Sequence, residues 1–96
     1  MRLVSVEKSP NPQKKLRATF ELDNGRTKHT DFGSAGMDDY LQTKDKEQRE
    51  RYRERHQKDL RTGDPTRAGY LSYHLLWGNY SNLSDNITAY KRKFNL

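Results

Sequence analysis

The 96-residue chain has no cysteine, which excludes a disulfide framework, a thiolate metal site and a cysteine nucleophile. It is also poor in aliphatic side chains. Leu, Ile, Val and Phe together supply 16 of the 96 residues, a level at which disorder competes with folding. Six Tyr and one Trp offset the shortage, because aromatic rings provide much of the area a small core needs. No apolar run approaches the roughly 18 residues of a membrane span. The start MRLVSVEKSP also lacks the apolar region of a secretory signal. These absences point to one small folded domain, residues 1–96, that is intracellular rather than secreted.

What the chain has in quantity is charge. Nineteen basic residues against thirteen acidic ones give +6, a modest excess that favours contact with polyanions. The excess is shared between the two halves: residues 1–34 carry +3, residues 44–61 carry +3 and residues 84–96 carry +2, while 35–43 carry −2. No separate basic tail exists.

The patterning predicts an α+β fold: a sheet part over residues 1–33, a β-hairpin or three-stranded antiparallel sheet, then a helical part over 34–96 with three to four helices. Val4 and Val6 alternate with polar residues up to the turn Ser9-Pro10-Asn11-Pro12. Leu16, Ala18, Phe20 and Leu22 then alternate with Arg17, Thr19, Glu21 and Asp23, the period-two pattern of a half-buried strand. Asn24-Gly25 suits a two-residue type I′ turn, which would set Asp23 opposite Arg26, Glu21 opposite Lys28 and His29 beside Phe20. Ser34 is placed to cap a short helix over 37–41. Residues 44–61 lack glycine and proline and predict one helix, with Leu41, Tyr52, His56 and Leu60 in a thin apolar arc. Asp64-Pro65 opens an almost wholly apolar helix over 66–77 that Gly78 would close at C′. Leu83, Ile87, Tyr90 and Phe94, spaced by four, three and four, mark a last amphipathic helix with Ser84 as its expected cap.

Four features carry possible chemistry. Lys44, Arg51, Arg55 and Lys58 form a stripe that can follow a phosphate backbone, with Lys91, Arg92 and Lys93 as a second patch. The competing reading is a solvated helix held by the i,i+4 pairs Asp45–Arg49, Glu47–Arg51 and Glu54–Lys58, and five acids in the segment weigh toward it. Gly33-Ser34-Ala35-Gly36 resembles a phosphate-cradling turn, but Asp38 and Asp39 follow and no Walker lysine does. His29, His56, His74, Asp31, Asp38 and Asp39 form no complete catalytic or metal-binding constellation, so no enzyme, metal or cofactor is expected. A metal-dependent nuclease ranks third. Tyr40, Tyr52, Tyr70, Tyr73, Trp77, Tyr80, Tyr90 and Phe94 suit base stacking or, in a chain short of aliphatics, the core itself. The Asn-Xaa-Ser/Thr triplets at Asn79, Asn82 and Asn86 read as capping and turn chemistry.

The run from Asp31 to Leu96 resembles a family of small uncharacterised proteins of large double-stranded DNA viruses of algae and amoebae. The resemblance rests on Phe32-Gly33-Ser34-Ala35-Gly36 with Asp39-Tyr40, on Lys44-Asp45-Lys46-Glu47 leading to Tyr52 and Arg55-His56, and on Asp64-Pro65, Ala68-Gly69 and Leu75-Leu76-Trp77. The ending Ala89 to Leu96 completes it. It implies a viral origin and a location in the host cell or the virion, and it supplies no activity. The leading expectation is a basic accessory or virion-associated protein that binds nucleic acid nonspecifically through phosphate contacts. The alternative is a structural protein–protein interaction module, such as a minor capsid-associated protein.

Overall fold

A computed structural model describes residues 1–96. Three strands, β1 (Arg2–Lys8), β2 (Lys14–Glu21) and β3 (Thr27–Ser34), form an antiparallel sheet in the order β1-β2-β3. Four helices follow: α1 (Tyr40–Thr43), α2 (Lys46–His56), α3 (Ala68–Leu71) and α4 (Leu83–Phe94). A 3-10 segment, Gln57–Thr62, continues α2, and a π-helical segment, Ser72–Leu76, continues α3. No helix is long and apolar enough to cross a membrane.

The sheet corrects two details of the sequence reading. The β2–β3 turn has three residues: Leu22 pairs with Arg26, its N–H donating to the Arg26 carbonyl at 2.8 Å. Gly25 takes a left-handed φ of 81°, the arrangement of a type I turn closed by a glycine bulge. Pairing therefore slips by one residue. Glu21 faces Thr27, Phe20 faces Lys28, and His29 lies opposite Thr19 on the outer face rather than beside Phe20. The slip sends alternate side chains to the other face. It turns Phe32 inward against Leu16 and sets Arg17 opposite Asp31, whose carboxylate accepts two guanidinium hydrogen bonds at 2.8 and 3.1 Å. On β1 a register shift between Leu3 and Ser5 puts Leu3 inside and leaves Val4 49% exposed. Val4 and Val6 thus do not share a face.

The inner face of the sheet (Leu3, Ala18, Phe20, Phe32) meets Tyr40, Tyr70, Leu71, Leu75, Leu76, Trp77 and Tyr90 in one core. As the composition implied, much of the helical share is aromatic. Asp39, not Ser34, caps α1, accepting from the Gln42 N–H. Asp45 caps α2, accepting from the N–H groups of Glu47 and Gln48. Asn82, not Ser84, caps α4, where Leu83, Ile87, Tyr90 and Phe94 pack inward as the spacing required.

The predicted helix 66–77 is two residues shorter at its start and partly π. Asp64 spends its carboxylate on the Thr66 N–H and hydroxyl (2.9 and 2.7 Å), so the helix begins at Ala68. Gly78 does not close it in a left-handed conformation. It is required by space: a Cβ there would lie 2.1 Å from the His74 carbonyl and 2.6 Å from Asn86 Oδ1.

Asn86 is the peg of this corner, 2% exposed. Its Nδ2 donates to the carbonyls of Leu75 (3.0 Å) and Tyr80 (2.9 Å), and its Oδ1 accepts from the Tyr80 N–H (3.0 Å). Asn86→Ala should therefore lower unfolding stability by roughly 2–4 kcal/mol, since it strands buried backbone groups, whereas Asn82→Ala should cost only about 1 kcal/mol. Urea melts of the two variants check this, and equal losses would refute the assignment.

Candidate phosphate-binding cleft

Helix α2 carries its basic residues on two flanks, and the structure treats the flanks differently. Arg49 and Arg53 are structural. Glu50 pairs with both, at 3.0 and 3.7 Å. Arg53 Nε donates to the Trp77 carbonyl at 2.8 Å and its Nη2 to Asn79 Oδ1 at 3.0 Å. Arg49 lies over the Tyr40 ring, 4.6 Å from its centroid. Lys15, on β2, pairs with the buried Asp39 carboxylate at 2.6 Å.

Arg51, Arg55 and Lys58 are exposed, and no carboxylate lies within ion-pair distance of them. The three i,i+4 pairs considered from sequence are not formed; Asp45 caps the helix instead. Lys44 leaves the stripe altogether. It ends α1 at a positive φ of 54°, before α2 begins. Lys91, Arg92 and Lys93 lie in the last turn of α4, where they complement the helix dipole. Lys93 shares a hollow with Arg53 and His74, whereas Arg55 lines a different one. The second patch therefore does not join the first.

Arg55 opens onto a cleft of about 600 Å³ between the sheet and the helices. Lys14 and Lys15 line it from β2, Ser34 from the end of β3, Gly36, Met37 and Asp38 from the turn beyond, Ser72 and Leu76 from the π segment, and Trp77 from just after it. Along one wall run three stacked rings: Tyr52 lies 4.3 Å from Trp77 at 9° and 4.1 Å from His56 at 24°. Asp59 holds the imidazole through Nδ1 at 3.0 Å. Asp59 in turn sits against Gly69, where a Cβ would approach it to 3.0 Å. Burial, with Asp59 nearby, pushes the Tyr52 hydroxyl above the ordinary tyrosine pKa, partly offset by the Ser72 hydroxyl and Arg55.

Sequence reasoning singled out Arg55, and named Tyr52, Trp77 and His56 only separately, but not Lys14 or Asp59, because only the fold brings them together. The glycine turn forms part of the cleft's rim, with some of the backbone donors in and just after it engaged within the protein. The Ala35 N–H donates to the Gln13 carbonyl and the Met37 N–H to Ser34, so two of these donors are already used. His29 bonds Thr19 on the outer face, and Asp31 is held by Arg17. No group of His, Asp and Glu converges in a way that could hold a metal ion.

The geometry defines a small α+β domain in which an unpaired cationic flank of α2 lies beside a cleft. Residues 4–56, just over half of the chain, match the model of DUF5754, a family of unknown function, and the chain belongs to that family. No curated protein and no solved structure matches it.

His74 lies outside the cleft, among Tyr70, Tyr73, Tyr90 and Phe94. Burial, reinforced by Lys93 and Arg53, lowers its pKa from 6.5 to about 4. The unfolded chain therefore takes up this proton before the folded one does. The contribution is full above about pH 6.5 and is lost as pH falls toward 4. His74→Phe should flatten that decline in denaturant melts between these values, and an unchanged slope would rule His74 out as its source.

Proposed function

We propose that this domain binds nucleic acid without sequence preference, through phosphate contacts made by Arg51, Arg55 and Lys58 along α2 and the turn beyond it, with Lys14 across the cleft. The observation that carries the reading is the sorting of the cations. Arg49, Arg53, Lys15 and Arg17 are matched by acids, while the exposed flank is not, and unpaired surface cations are what counterion release rewards. Glu47 and Glu54, exposed on the same helix, limit the affinity. Tyr40, Tyr70, Trp77 and Tyr90 are buried in the core and offer no stacking platform along a strand, so tracking rests on phosphate contacts, which carry no sequence information.

The resemblance of Asp31–Leu96 to proteins of large DNA viruses supports an accessory or virion-associated role beside a DNA genome. The competing reading, a protein-docking module, has weaker support. Val4, Met37 and Tyr80, the exposed large apolar residues besides the first, Met1, lie in three separate segments.

Three to four phosphate contacts predict a slope of log affinity against log salt of about −3, a loss of roughly 60-fold between about 50 and 200 mM salt. Titration of labelled duplex and single-stranded DNA checks this, with Arg51→Glu/Arg55→Glu/Lys58→Glu expected to abolish binding. Affinity indifferent to salt, or no binding at low salt, would sink the reading and turn attention to protein partners.

A further inference from the structure

The cleft is larger than phosphate tracking requires. At about 600 Å³ it falls in the range of small-molecule sites, far beyond the volume of a lone phosphate. Its charges are also arranged in a particular way. Lys15 is matched by Asp39, and the Asp59 carboxylate is engaged by the His56 ring at Nδ1. Lys14 from the sheet and Arg55 from α2 remain unpaired, with Asp38 as the one unpaired acid of the wall. Two free cations suit a phosphomonoester dianion. A free carboxylate has no use for phosphate, but accepts readily from a sugar hydroxyl or a base N–H. The third element is the ring stack. His56 is its outer member, with a side chain 38% exposed. Asp59 on Nδ1 and Tyr52 on one face hold it still, so Nε2 and the rest of the ring remain for a ligand. Histidine is among the rings on which unpaired bases stack.

From this combination we infer that the cleft is a site for a nucleoside monophosphate, either free or as the phosphorylated end of a strand. Lys14 and Arg55 take the phosphate, His56 packs on the nucleoside, and Asp38 accepts from it. The strand-end form rests on the nucleic-acid reading above; the free form does not. The π segment and Gly69 have a place in this arrangement. They bring Ser72, Trp77 and Asp59 close enough to form the wall opposite the sheet.

The test follows amide and ring resonances of the intact protein during titration with thymidine 5′-monophosphate, thymidine and inorganic phosphate. In parallel, affinities are measured for an oligothymidylate with a 5′-phosphate, a 3′-phosphate or hydroxyl ends. The inference predicts that the monophosphate shifts Lys14, Arg55 and His56 and binds at least about tenfold tighter than thymidine or inorganic phosphate. Lys14→Glu, an exposed position outside the core, should remove that binding. Arg51→Glu/Lys58→Glu should leave it intact while weakening the hydroxyl-ended strand.

A gain of about tenfold for a phosphorylated end identifies the strand terminus as the occupant. Monophosphate binding without that gain identifies the free nucleotide. Inorganic phosphate binding as tightly as the monophosphate overturns the nucleoside site. No cleft shifts, with equal affinity for all strand ends, overturns the inference and leaves phosphate tracking standing. If neither nucleotide nor strand binds, both readings fail.

Discussion

The backbone from Leu60 to Tyr80 is the constraint on which this fold depends. It is broken into 3-10, turn, α and π pieces, so many of its carbonyls lack regular helical partners, and each buried one needs a donor from elsewhere. The donors come from β3, α2 and α4, and one from the segment itself. Thr30 on β3 reaches the Thr66 carbonyl, Tyr70 that of Leu60, Tyr90 that of Pro65, Arg53 that of Trp77, and Asn86 those of Leu75 and Tyr80. Such bonds contribute only about 1 kcal/mol each in net terms, but an unmet buried carbonyl costs more. In a chain with so few aliphatics these polar clamps, together with the aromatic packing they position, do what a larger hydrophobic core does elsewhere. The ring that buries area is often also the donor that closes a carbonyl, as with Tyr70 and Tyr90.

The electrostatics of the surface follow from this need. Helix α2 lies against the broken segment, and its inward flank is drawn into the clamping. Arg53 caps Trp77, Arg49 lies over Tyr40, and Glu50 neutralises both. Arg51 and Arg55, about 200° around the helix from Arg49 and Arg53 respectively, have no carbonyl to satisfy and no acid to meet. The division between structural and available cations is set by which side of α2 faces residues 77–79. It is not set by local sequence, which is almost uniformly charged on both sides.

This explains what was legible in the sequence and what was not. Strand β2 and helix α4 were, because each has a strict period and a single buried face. The three-stranded α+β plan followed from them. The hairpin register was not. Asn24-Gly25 fits a two-residue turn equally well, and the alternative is preferred only once Phe32 must be inside and Asp31 must meet Arg17. The break of α2 at His56 was hidden too, since residues 44–61 contain no helix breaker. The 3-10 turn there is held by long-range partners, the Tyr70 hydroxyl on Leu60 and Gly69 against Asp59. For the site, residue type and spacing pointed to Arg51, Arg55 and Lys58 but could not separate them from Lys44, which belongs to the end of α1. Lys14 could only be found through the fold.

The matched family segment, residues 4–56, divides the cleft in an informative way. Lys14, Arg51, Arg55, Tyr52 and His56 lie inside it. Asp59, Gly69, Ser72 and Trp77, which hold the ring stack and form the opposing wall, lie beyond it. A chain with the first part and a different second part would keep the cations and the imidazole, but would lose the groups that fix the ring and give the cleft its depth. In the proposed phosphate-tracking reading, Lys14, Arg51 and Arg55 come from the sheet and α2, and Lys58 from the 3-10 segment just beyond. In the inferred nucleotide site, discrimination among phosphate-bearing ligands would rest on the shaped wall that the clamped segment builds. The same irregular backbone that taxes the fold with unpaired carbonyls therefore gives the cationic flank a pocket to work with.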